Sequence, residues 1–180
     1  ELLERAARET GAIDGLIVAS PANPTGTMLS AAEMKALTEY CDATGIRLIS
    51  DEIYHGITYG APGVTALAHT RDAVVLNSFS KYFSMTGWRL GWAVVPPDLM
   101  RAVECLQQNL FISAPALSQI AAVAAFDCED ELQANVAAYA RNREILLNEL
   151  PKAGFGNFAP ADGAFYLYAD VRDLTDDSEA

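Results

Sequence analysis

Three short apolar runs, each breaking off into a polar loop, constrain this chain more than any other feature. Gly15-Leu16-Ile17-Val18-Ala19, Ile46 to Ser50, and Ala73-Val74-Val75-Leu76-Asn77 have the length and continuous hydrophobicity of buried strands. Helical patterns separate them. An opening helix ends near Gly11. Ser30-Ala31-Ala32-Glu33 is a capping box, followed by Met34, Leu37 and Cys41 at helical spacing, and Gly45 stops that helix. Strand alternating with helix points to an α/β layer fold. In a parallel sheet the loops after successive strands lie along one edge, where α/β proteins bind ligands. The three loops here are Ser20 to Gly26, Asp51 to Tyr54, and Ser78 to Lys81. Asn23, Asp51, Tyr54, Ser78 and Lys81 can therefore converge although they are scattered along the chain.

Leu90 to Val95 reads as a fourth strand, closed by Pro96-Pro97, and Leu99, Val103, Leu106 and Leu110 then make one face of a helix. Two more helical stretches follow, roughly 115–126 and 130–150, the second using Val136, Tyr139, Leu146 and Leu150. After Pro151 the composition turns to Gly, Phe and Pro, and Phe165, Leu167, Ala169 and Val171 alternate as a strand does. A domain boundary is expected inside the long helix or just after it, giving a first unit over 1–150 and the start of a second over 151–180.

Composition narrows the function classes. Hydrophobic residues make up 51% of the 180 and charged residues 20%, the balance of a soluble globular chain. No apolar run reaches the ~18 residues of a membrane span; the richest, Ile112 to Phe126, is broken by Ser113, Pro115, Ser118 and Gln119. The opening Glu1-Leu2-Leu3-Glu4-Arg5 lacks the apolar core of a secretory signal. It also lacks an initiator Met, which leads to the expectation that the chain starts partway through a longer protein. A formal charge of −12 argues against a nucleic-acid partner, because phosphate binding needs a basic patch. Cys41, Cys105 and Cys128 are odd in number and far apart, no Cys-x-x-Cys pair occurs, and the only histidines are His55 and His69. Neither a disulfide framework nor a metal site is expected, and a reducing cytoplasm fits.

Ser78-Phe79-Ser80-Lys81, Ser84-Met85 and Gly87-Trp88-Arg89-Leu90-Gly91 resemble the lysine signature of fold-type-I, pyridoxal-phosphate-dependent aminotransferases of class I/II. Ala22-Asn23-Pro24-Thr25-Gly26 resembles that family's asparagine loop, and Asp51-Glu52-Ile53-Tyr54 its aspartate–tyrosine segment. The three motifs stand in the family's order, and the resemblance spans essentially the whole chain. It implies a three-layer αβα arrangement, mostly parallel, whose fourth strand is antiparallel, followed by the start of a small C-terminal domain.

The resemblance also implies roles. The cofactor, pyridoxal 5'-phosphate, stabilises a carbanion by itself; the protein must hold and orient it. Lys81 is implied to form the Schiff base with its aldehyde and, once displaced by an amino acid, to move the α-proton. Asp51 is implied to pair with the protonated ring nitrogen. Asn23 and Tyr54 are implied to hydrogen-bond the phenolic oxygen. Arg89 is implied to clamp the phosphate with its planar fork, helped by the Ser78 and Ser80 hydroxyls.

Several residues are read more plainly. His55 is expected to be a turn or packing histidine, Trp88 and Trp92 to pack within the sheet, and the aromatics of Phe165-Tyr166-Leu167-Tyr168 to be core. Asn23-Pro24 stands where the family often has a cis peptide.

The implied reaction transfers an amino group from an amino acid to a 2-oxo acid, in a parent homodimer. Two rivals share the motifs: a carbon–sulfur β-lyase or cyclopropane-forming synthase on the same fold, and an aminotransferase-like sensor domain of a transcription regulator. The family's N-terminal glycine-rich turn, its ring-stacking aromatic and its C-terminal substrate-binding arginine have no counterpart here. The isolated chain is therefore expected to be nearly inactive and to bind the cofactor weakly.

Overall fold

The computed structural model describes residues 2–175. Five helices are α1 (Leu2–Thr10), α2 (Ala31–Thr44), α3 (Pro97–Leu110), α4 (Ala116–Ala125) and α5 (Glu129–Glu149). Four strands, β1 (Gly15–Ala19), β2 (Arg47–Asp51), β3 (Val74–Ser78) and β4 (Gly91–Val94), form one sheet in the order β1-β2-β3-β4. The first three are parallel and β4 runs antiparallel to β3. This is an α/β fold with a mostly parallel sheet, as the resemblance implies.

Local chemistry fixes α2. The Ser30 side chain accepts the Glu33 N–H, and the Glu33 carboxylate accepts the Ser30 N–H at 2.8 Å. The Ser30 hydroxyl, which donates to the Glu33 carboxylate at 2.7 Å, and then the Ser30 N–H hold the exposed Glu33 carboxyl below the usual carboxylate range. At the other end Gly45 adopts φ 72°, a left-handed conformation that costs glycine nothing, and its N–H returns to the Cys41 carbonyl. The buried stripe of α2, Met34, Thr38 and Cys41, lies over one face of the sheet. Met34 and Cys41 pack with Ile46, Leu48, Ala73 and Val75 in the main core. Burial pushes the Cys41 thiol up, with a smaller push from the Asp42 carboxylate.

Register decides where the strands end. Ala19 pairs with Asp51 and Asp51 with Leu76, so the C-terminal ends of β1, β2 and β3 line up along one edge. Across β3 and β4, Ser78 sits opposite Gly91. The three polar loops leave from that single edge.

Two expectations are corrected. The alternation at 165–171 does not make a strand; around it are only two isolated bridges, Thr58–Gly163 and Phe158–Ala169. Just before it, the N–H groups of Asp162 and Gly163 bond the Gly26 carbonyl and that of Ala164 bonds Ile57, while within it the Tyr168 carbonyl and the Asp170 N–H pair with Ala159 and Asn157 around the second bridge. Ala164 has φ 58°, which breaks an extended path. Trp88 is likewise not in the sheet but in a 3-10 turn, Thr86–Trp88, where it is exposed. Trp92 does lie on β4, with its ring 5.0 Å from that of Phe79.

Among the described residues no helix is long and apolar enough to cross a membrane, and no group of three or more His, Cys, Asp or Glu could hold a metal ion.

Candidate active site

Asp51 closes β2, and its Oδ1 accepts the N–H of Ile53 at 3.1 Å, turning the chain at once. Glu52 points the other way. It is 2% exposed, and its carboxylate accepts the Ser50 hydroxyl at 3.0 Å and the Ala66 N–H at 2.9 Å, with His55 Nδ1 at 3.4 Å. A buried carboxylate needs such partners, and here they pin the turn. His55 is thus a turn histidine, as expected.

The next residue inward is Tyr54, 2% exposed. Its hydroxyl shares a hydrogen bond with the hydroxyl of Tyr166. The phenol is pushed far above its ordinary value. Burial is the main cause, followed by the bond to Tyr166, the proximity of that second phenol, and the Asp51 carboxylate.

Lys81 follows β3 on a tightly tied turn. Ser78 Oγ accepts the Ser80 N–H at 3.0 Å and donates to the Leu90 carbonyl at 3.2 Å, while Thr86 Oγ1 donates to the Ser80 carbonyl at 2.6 Å. Phe79, inside the turn, is buried with Met85 and Ala122. So braced, the turn places Lys81 Nζ 5.6 Å from the ring centroid of Tyr54 and 5.8 Å from that of Phe165. The chain has three lysines. Lys35 pairs with Glu39 and Lys152 with Glu149. Lys81 has no carboxylate partner among the described residues.

Arg89 stands just after the 3-10 turn with φ 52°, exposed, and donates to the Thr86 carbonyl at 3.1 Å. It too has no carboxylate partner among the described residues. Asn23 is exposed on its loop, which is closed by the Gly26 N–H on the Ala22 carbonyl, and both Ser20-Pro21 and Asn23-Pro24 are cis.

The structure thus brings Lys81 to Tyr54, with Asp51 at the head of the turn that carries Tyr54, and it builds Ser78 and Ser80 into the turn that carries Lys81. Among the described residues, no hydrogen bond ties Asn23 or Arg89 to that cluster. Phe165, expected to be core, is instead 42% exposed beside the amine; Tyr166 does pack against the buried cluster of Tyr54, Ile57 and Ala164, and it also meets Tyr54 hydroxyl to hydroxyl. Nothing in the sequence marks them; in the structure an added Cβ at Gly163 would lie 2.5 Å from Pro21 Cγ, so this segment presses against the Asn23 loop.

In a chain of net charge −12, two cations without acidic partners at one sheet edge are placed for an anionic ligand, and a buried phenol beside an amine and a carboxylate suits a small polar aromatic one. The residues present therefore fit pyridoxal phosphate.

Comparison with known proteins agrees. A valine–pyruvate aminotransferase from Mycobacterium tuberculosis is 56% identical over 170 residues, which cover 92% of this chain and 44% of that protein. An aspartate aminotransferase from Geobacillus stearothermophilus is 36% identical over 165 residues, 88% of this chain and 42% of that one. The crystal structure of an aminotransferase from Mycobacterium tuberculosis superposes with a TM-score of 0.90 at 54% identity, covering 94% of this chain and 45% of its own. The chain spans less than half the length of these relatives. The family model for aminotransferase class I and II matches residues 1–180, and the chain belongs to that family.

Proposed function

We propose that this chain is the lysine-bearing part of a pyridoxal-phosphate-dependent aminotransferase that moves an amino group from an amino acid to a 2-oxo acid. The observation that carries this reading is Lys81: alone among the three lysines it is held off from carboxylates, between two aromatic rings at the ligand-binding edge of the sheet.

When bound, the cofactor supplies an electron sink for the α-carbon. The chain's own residues do the rest. Lys81 anchors the cofactor's aldehyde and, when free, takes and returns the substrate's α-proton at Nζ. Asp51 keeps the ring nitrogen protonated through a charge-assisted bond. Tyr54 and Asn23 donate to the phenolic oxygen. Arg89, Ser78 and Ser80 take the phosphate, for which a permanently charged planar fork is suited.

The substrates are proposed by likeness to the relatives, with valine and pyruvate as the first couple to assay, since the 56% identical protein is named for them. The complete enzyme is proposed to be a cytoplasmic homodimer with residues 151–180 opening a second domain. The 180-residue chain alone is proposed to turn over little or not at all.

Borohydride trapping of the cofactor in the complete enzyme, followed by peptide mapping, tests the assignment; within this chain it must choose Lys81 over Lys35 and Lys152. Label on Lys81 is expected. Label anywhere else overturns the reading.

A further inference from the structure

The Tyr54 hydroxyl has one proton to give and lone pairs to receive with. If it is to donate to the cofactor, something else must satisfy its oxygen, and the chain provides one candidate at hydrogen-bond distance, Tyr166. The two rings meet edge to face with centroids 5.6 Å apart, and Phe165 crosses Tyr54 from a second side at 5.4 Å.

The backbone around Tyr166 does not leave this meeting to chance. The Asp162 and Gly163 N–H groups donate to Gly26, at 3.1 and 2.9 Å, and the Ala164 N–H donates to Ile57 at 2.9 Å. The Tyr59 N–H returns a bond to Asp162 at 2.8 Å, and the Tyr59 hydroxyl donates to the Ala164 carbonyl at 2.7 Å. At Gly163 a Cβ would stand 3.0 Å from the Ile57 carbonyl as well as against Pro21, so no larger residue fits between the Asn23 loop and the Tyr54 turn. Ala164, fully buried, holds a left-handed φ that alanine adopts only under constraint. Segment 161–166 is therefore seated on two of the three site loops, and its seating delivers one hydroxyl to Tyr54.

We propose that Tyr166 is a positioning residue of the cofactor site: the hydroxyl–hydroxyl bond can run either way, and with the Tyr54 proton directed at the cofactor's phenolic oxygen it is Tyr166 that donates to the Tyr54 oxygen. That is the opposite sense to the one that raises the Tyr54 phenol. This rests on the function proposed above. A phenol that accepts a hydrogen bond becomes a stronger donor, because chained bonds polarise one another. A stronger donation to the phenolic oxygen favours its anion and lowers the proton affinity of the Lys81 nitrogen bound to the same conjugated group. Tyr166 acts only through Tyr54.

The test compares wild type with Tyr166→Phe, Tyr54→Phe, the double variant and Tyr59→Phe in the complete enzyme loaded with pyridoxal phosphate. The quantity read is the pH midpoint of the cofactor's visible absorbance. Tyr166→Phe is expected to raise the midpoint by about 0.5 unit, roughly threefold in proton affinity. Tyr54→Phe should raise it further, and the double variant should match Tyr54→Phe, because the second deletion has nothing left to act through. Tyr59→Phe removes the other tyrosine bond to the same segment and should leave the midpoint in place. An unmoved midpoint in Tyr166→Phe, an undiminished Tyr166→Phe shift in the Tyr54→Phe background, or an equal shift in Tyr59→Phe each overturns the proposal. A wild-type cofactor attached elsewhere than Lys81 defeats the parent reading as well, whereas normal attachment with an unmoved Tyr166→Phe defeats this inference alone.

Discussion

The sheet face under α2 and the elements β4, α3 and α4 come from similarly apolar sequence and end in opposite states. Under α2, Met34 and Cys41 are each 1% exposed and the neighbouring strand residues close over them. Across the molecule α3 buries none of its residues, all four residues of β4 are exposed, and Leu110, Leu117, Ile120 and Val123 face outward. Periodicity shows which side of a helix is apolar; whether that side is covered depends on what the chain can bring to it. Here β1, β2, β3 and α2 cover one another, while α4 buries only Ser118 and Ala122 against the turn that carries Lys81. The difference matters for the site, because its bracing comes from the covered half and from the small cluster under α4.

The largest expected effect lies in the covered half. Met34→Ala removes a fully buried side chain from the main core and should cost about 2–5 kcal/mol in urea unfolding, through lost transfer energy and the cavity left behind. A loss below about 1 kcal/mol would mean that the α2 face is no better packed than the other surface, and the contrast would dissolve.

Next in size is the N-terminus of α2. Ser30→Ala removes the acceptor for the Glu33 N–H and should cost ~1 kcal/mol. The substitution also removes the hydroxyl that donates to the Glu33 carboxylate and depresses it; that bond's contribution is present above the unfolded value and is lost as the pH falls through the lower folded one. A pH series of unfolding midpoints should therefore show a smaller acid-side decline in Ser30→Ala than in wild type; parallel curves would detach Glu33 from the cap.

Much of this was legible in the sequence because its causes are local. The capping box, the Gly45 stop and the three apolar runs each act within a few residues, and they were read with the right type and nearly the right ends. The approach of Lys81 to Tyr54 is what one topological rule about parallel strand ends leads one to expect. Phe165 and Tyr166 were not legible. Tyr54 and Tyr166 lie 112 positions apart, and what joins them is backbone bonding to Gly26 and Ile57 that leaves no periodic trace. Alternation at 165–171 suggested a strand because apolar spacing reports a preference for burial and says nothing about a positive φ at Ala164.

The smallest expected effect sharpens the contrast most. Ile120 is 70% exposed on α4, while Ala122, two residues on and on the other side of the helix, is 4% exposed against Phe79 and Met85. A side chain already in water loses little transfer energy when it becomes polar, so Ile120→Ser should change the unfolding free energy of the chain by no more than about 0.5 kcal/mol. Binding of an apolar dye should fall in the same variant, because the substitution interrupts a patch that includes Leu117 and Val123. Sedimentation at several protein concentrations supplies the decisive comparison. If Ile120→Ser were to cost as much as Met34→Ala, with the loss growing at higher concentration, then a second copy would be covering α4 in solution. The two regions would then differ only in whether their cover comes from the same chain.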